Sequence, residues 1–149
     1  MGLGYSQQED AYILGTASAA VTLTTSYTDN VSSDIPAAYF SQFTFCVEYT
    51  TGAGGGGNSV QIKIEGAPES PSSGLTPVYF TETASATSGG TITHTAATHT
   101  FVNGAAATTE RFFFYAPPAF QSLRISAKET VVGGSAGTLK VRLISSGAN

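Results

Sequence analysis

Four stretches of the chain alternate apolar and polar residues with a period of two. In FSQFTFCVEYT, Phe43, Phe45, Val47 and Tyr49 alternate with Gln42, Thr44, Cys46 and Glu48. VQIKIEG sets Val60, Ile62 and Ile64 against Gln61, Lys63 and Glu65. LRISAKET sets Leu123, Ile125 and Ala127 against Arg124, Ser126 and Lys128, and TLKVRLIS sets Leu139, Val141 and Leu143 against Lys140 and Arg142. A strand sends successive side chains to opposite faces, so each stretch predicts a β-strand with one core face and one outer face.

Shorter strand signals fill the intervals: AVTLTTS around Val21 and Leu23, PVYFTET at Pro77 to Thr83, GTITHTA around Ile92, ERFFFYA at Glu110 to Ala116, and a segment near Ala11 to Leu14. Thr is β-branched and suits a pleated surface, so its abundance agrees with these strands. Breaker clusters such as SPSSGLTP, SGG and APP separate them. Eight or nine short strands without helical crossovers predict an all-β fold, an antiparallel β-sandwich of jelly-roll-like form. Residues 1–149 read as a single domain, with 1–10 an extended N-terminal arm.

The run RFFFYAPPAF departs from the usual pattern. In a strand Phe112 and Phe114 face one way, and Phe113 and Tyr115 the other. Large apolar groups on both faces call for a cover on the second face, either a loop of the same chain (SPSSGLTP or VNGAAATT) or a neighbouring subunit. These four aromatics are therefore a candidate interface.

Composition bears on that choice. Only 11% of residues are charged, against about 25% in typical soluble domains, and Ala, Gly, Ser and Thr make up half of the chain. A nearly uncharged surface at a net charge of −4 leans toward a subunit of an assembly, a homo-oligomer. Six Lys and Arg residues, scattered from Lys63 to Arg142, form no phosphate-neutralising stripe, so nucleic acid is excluded as a partner. No apolar run approaches the ~20 residues of a membrane span. AYILGTASAAV is preceded by QQED where a signal peptide needs positive charge, and the myristoylation-like Gly2 and Ser6 have no polybasic companion. The sequon Asn30-Val31-Ser32 matters only in a protein that a eukaryote secretes.

Candidate chemistry is sparse. Gly52, Gly54 and Gly57 in TTGAGGGGNSVQIKIEG match G-x-G-x-x-G, and Gly55 and Gly56 complete the run. A dinucleotide site needs a helix opening directly after the glycines, whereas NSVQIKIEG alternates as a strand. Without a helix N-terminus no anion site forms, and no cofactor is expected. The run instead predicts a hairpin tip, either freely moving or ordered as a contact loop. His94 and His99 are an odd offset apart and lack a Cys or carboxylate at ligand spacing. TDNVSSD offers Asp29, Asn30 and Asp34, short of a full calcium ligand set. No G-x-S-x-G elbow is present, and Cys46, the only cysteine, has no His beside it in sequence, so no catalytic residue is expected.

The layout FTFCVEYTTGAGGGGNSVQIKIEGAPESPSSGLTPVYFTE, followed by FQSLRISAKETVVGGSAGTLKVRLISS, resembles small β-sandwich structural proteins of tailed bacteriophage particles. The shared features are an aromatic alternating strand ending in YT plus glycine, an LRIS.K strand, a glycine-rich hairpin and a last alternating strand. Trp is absent, and Tyr79 stands where an aromatic follows the turn. The resemblance implies a non-enzymatic virion component, a capsid decoration (cement) protein on the capsid surface. Its partners would be the major capsid protein, copies of itself, or both. A carbohydrate-binding or adhesion module, with Tyr5, Tyr12, Tyr27 or Tyr39 as sugar platforms, and a tail or baseplate component are the alternatives.

Overall fold

The alternating strands form two antiparallel sheets packed face to face, a β-sandwich. The computed structural model describes residues 8–37, 40–70, 73–116, 120–131 and 133–147; Gly2, Tyr5, Ser6 and Tyr39 lie outside the described residues. Twelve strands occur among those described: β1 (Gln8–Leu14), β2 (Val21–Thr22), β3 (Ile35–Pro36), β4 (Gln42–Thr50), β5 (Ser59–Ala67), β6 (Phe80–Thr81), β7 (Thr83–Ser88), β8 (Thr91–Ala96), β9 (His99–Val102), β10 (Thr109–Ala116), β11 (Ser122–Thr130) and β12 (Thr138–Ser146).

Sheet A has the order β1-β12-β4-β10, with β2 also on β12; sheet B has the order β3-β11-β5-β6, with β9 also on β5. Thus β1 and β2 share one strand position, and so do β6 and β9. Eight positions result, four to a sheet, and β7–β8 stands apart as a two-stranded hairpin. Its Gly89 and Gly90 both have positive φ, 58° and 81°, which a two-residue turn of this hand requires and L side chains resist.

Phe43, Phe45, Val47 and Tyr49 of β4 and Leu139, Val141 and Leu143 of β12 point between the sheets. They meet Val60 and Ile62 of β5 and Leu123, Ile125 and Ala127 of β11. Burying each large side chain contributes about 1.5–3 kcal/mol, so this inner layer supplies most of the drive to fold.

One inward residue is charged. Glu129 continues the parity of Leu123, Ile125 and Ala127 and is 1% exposed. Its Oε1 accepts hydrogen bonds from the Tyr49 hydroxyl at 2.6 Å and Asn58 Nδ2 at 3.3 Å, and Oε2 accepts one from the Gly137 amide at 2.8 Å. A carboxylate taken out of water is tolerated only with such partners. Burial first, and then the bond to Glu129, pushes the Tyr49 phenol well above its ordinary range.

Glu129 sits beside the glycine run. The hairpin expected there does not form: β4 belongs to sheet A and β5 to sheet B, so residues 51–58 cross between sheets. Period-two alternation identifies strands and is silent on their partners. Nor is the run left to itself. Gly57 N donates to Asn103 O, Ala107 N to Gly52 O, and Ser135 N to Ala53 O. Glycine is required by proximity, since a Cβ at Gly52 would overlap the Ser135 carbonyl, and one at Gly134 the Ala53 carbonyl.

Tyr49→Phe keeps the packing and removes the donor that Glu129 holds closest. Denaturant unfolding should show a loss of about 1–3 kcal/mol with an unchanged m-value. A loss below about 0.5 kcal/mol would show that the buried carboxylate does not depend on this bond.

Candidate functional site

The two outer faces of the sandwich differ in what lies over them. On sheet B, the outward residues of β5 and β11 include Gln61, Lys63, Glu65, Arg124, Ser126 and Lys128, and two tyrosine rings of the same chain lie over them. The segment that leads into β3 runs along the edge of β11 and carries one of them: Val31 bridges to Ser126, Ser32 N donates to Ile125 O, and Ala127 N donates to Asn30 O. The Tyr27 ring has Lys63 Nζ at 5.1 Å and Lys128 Nζ at 4.8 Å from its centroid, and its hydroxyl reaches Gln61. Tyr79 lies 4.0 Å from the Arg124 guanidinium and donates to Asp34 at 2.7 Å. Rings over cations in this way favour an ordered cover.

Glu65 is the anchor of that face. It accepts bonds from Arg124, Lys63, Ser126 and Thr81 at 3.0–3.4 Å and is 6% exposed. Burial alone would raise its pKa, but Arg124, Ser126 and Lys63 outweigh burial and hold the carboxyl at about 2.

Sheet A presents its outer face differently. Strand register aligns its outward residues in rows: Tyr115, Thr44, Ile144 and Asp10; Phe113, Cys46, Arg142 and Tyr12; and Arg111, Glu48 and Lys140. Phe113 is 61% and Tyr115 57% exposed, so neither VNGAAATT nor the described part of SPSSGLTP covers them. Their rings meet edge to face at 5.5 Å. A groove of about 350 Å³ adjoins them, lined in part by Tyr12, Cys46, Arg111, Phe113, Lys140 and Arg142. Arg111 is paired with Glu48 at 3.0 Å, and Arg142 with Asp10. Among the described residues no strand pairs with the free edge of β10.

The other half of the aromatic run faces inward. Phe112 stacks on Phe101 at 3.6 Å, and Phe114 stacks on His99 at 4.3 Å and on Phe45 at 4.9 Å. The four candidate interface residues therefore divide: Phe114 is core and Phe112 half-buried against it, while Phe113 and Tyr115 are surface. Within the candidate contact loop, Gly55 is buried, Gly52 and Gly57 are half-buried, and Gly54 and Gly56 are exposed at the end of the sandwich.

The remaining sequence candidates are separated. His94 Nδ1 is 2.8 Å from the Ser85 hydroxyl on β7–β8, whereas burial among aromatic rings lowers the pKa of His99 against an opposing pull from Glu82. Asp29 accepts from Thr24 at 2.7 Å, and Asp34 from Tyr79. Among the described residues no group of three or more His, Cys, Asp and Glu is placed to hold a metal ion. Each of the six Lys and Arg side chains has a partner within the chain: Lys63, Arg111, Arg124 and Arg142 a carboxylate, Lys128 the Tyr27 ring, and Lys140 the Ala17 carbonyl. No helix among the described residues is long and apolar enough to cross a membrane. Sequence reasoning placed Glu65 on the outer face without a role and passed over Glu129, for which the parity of Leu123, Ile125 and Ala127 was the available signal.

In comparisons with known proteins, no family model, curated protein or solved structure matches this chain.

Glu65 gives a pH test. Its folded pKa lies below the ordinary value of 4.5, so its contribution is present above about pH 4.5 and is lost as pH falls toward 2. Glu65→Gln should lower stability at neutral pH, and the gap to the parent should shrink between about pH 5 and pH 2. A gap constant across that window would show that the charge on Glu65 does not support this face.

Proposed function

We propose that this protein is a non-enzymatic structural component of a bacteriophage particle, a capsid decoration protein whose outer sheet A face docks on the major capsid protein. The observation that carries the reading is the contrast between the two outer faces. The chain covers one with two tyrosine rings, and leaves the other open with Phe113 and Tyr115 more than half exposed. An exposed aromatic pair beside neutralised ion pairs has the composition of an interface centre, where aromatics and Arg concentrate and free charge is scarce.

Two further points support it. Numbering the eight strand positions in chain order gives 1-8-3-6 in sheet A and 2-7-4-5 in sheet B, which we read as jelly-roll order, an arrangement common in viral capsid domains. The likeness in layout to phage virion proteins points to the same setting. Docking many copies on a lattice lets each contact be weak, so an open face with two anchors is sufficient.

The test is binding of purified protein to particles lacking it. Phe113→Glu alters an exposed side chain and should leave circular dichroism unchanged, while weakening particle binding by about 30-fold or more, the scale of a lost anchor. Undiminished binding would remove sheet A as the docking face. Saturable glycan binding lost on Tyr12→Ala, with no binding to particles, would favour the adhesion module instead.

A further inference from the structure

The hairpin β7–β8 projects from the edge of sheet B at a break in a strand. β6 pairs with Glu65 and Gly66, β9 pairs with Ser59 to Ile62, and the chain between them leaves as the hairpin. Ala97 N donates to Glu82 O at 2.8 Å and closes its base. All twelve strand residues of the hairpin are exposed, and its only large apolar side chain, Ile92, is 62% exposed near the tip.

The break opens a cleft of about 470 Å³ between the sheets. Ile64, Phe80, His99, Tyr115, Phe120 and Leu123 contribute to its largely apolar wall. Its rim includes Thr81, Glu82 and His99, so the hairpin is rooted at the mouth of the cleft.

We propose that the hairpin is an exchange arm: two copies of this chain pair their arms edge to edge about a twofold axis, and each Ile92 enters the other copy's cleft. Three observations argue for a second copy as the occupant. First, residues 83–109 contain no Asp, Glu, Lys or Arg, so the arm joins a neighbour without desolvating an ion. Second, both outer edges of the hairpin are unpaired among the described strands, and Thr83 to Ala96 carries none of the Lys, Pro or bulge that blocks edge pairing. A solitary two-stranded hairpin is marginal in water, and pairing with a second one makes four strands. Third, Ile92 lies four residues along β8 from its root at Ala96, about 13 Å of strand, so it stands clear of its own cleft. Antiparallel arms of that length, each rooted at a cleft, place each tip at the opposite mouth. This is the reciprocal arrangement a twofold interface requires. Arm and cleft together number about 20–30 residues a side, the size of a stable interface.

The arm is separate from the sheet A face, the cleft shares Tyr115 with it, and the inference does not rest on particle docking. The mass of the intact protein is measured by sedimentation over a range of concentrations. The parent chain should be a dimer. Ile92→Asp should weaken the dimer at least tenfold, with unchanged circular dichroism because Ile92 is exposed. Mixing Ile92→Cys copies with Phe80→Cys copies, both carrying Cys46→Ser, should give disulfide-linked heterodimers. A parent that stays monomeric throughout, an Ile92→Asp dimer as tight as the parent, or absence of the crosslink would each overturn the exchange. Ile92→Asp that dissociates yet still binds particles would confirm that the arm and the docking face are independent.

Discussion

A carboxylate buried between two apolar sheets has to be paired, and that requirement organises one end of this molecule. Glu129 on sheet B takes its closest hydrogen bond from Tyr49 on sheet A. Its other partners are Asn58, where the glycine run ends, and Gly137, where the last strand is about to begin. The same carboxylate therefore fixes the facing of the two sheets and the positions of two loops. Gly52 and Gly134 follow from it, since loops drawn together this closely leave no room for a Cβ.

Charge is placed economically throughout. All six cationic side chains stand on outer strand faces, and each is matched within the chain. The surface left over is aromatic on the edge of sheet A and uncharged along the arm. Such surfaces meet protein neighbours at little desolvation cost, whereas an exposed unpaired ion would oppose close contact. The two contacts we propose, one to a lattice and one to a second copy, each use such a surface.

The sequence was most readable where large apolar residues alternate with polar ones. β4, β5, β11 and β12 lie where Phe43 to Tyr49, Val60 to Ile64, Leu123 to Ala127 and Leu139 to Leu143 predict them. β7 was missed because TASATS has no contrast in size or polarity to mark its two faces, and β3 because two residues carry no period. Pairing was not legible, because β4 bonds to β10 and β12, each more than fifty residues away in sequence, and nothing local specifies that. For the aromatic run, parity divided Phe112 and Phe114 from Phe113 and Tyr115. Which pair faced solvent depended on Phe101 and His99, brought beneath it by a strand that the pattern did not reveal.

The most direct measurement of the central claim is an electron cryomicroscopy reconstruction of virions assembled with this chain, compared with virions assembled without it. The account predicts extra density on the capsid surface, with the outer face of sheet A against the capsid and Phe113 and Tyr115 enclosed at the contact. Density that seats the sandwich by its covered sheet B face, or virions identical with and without the chain, would contradict it.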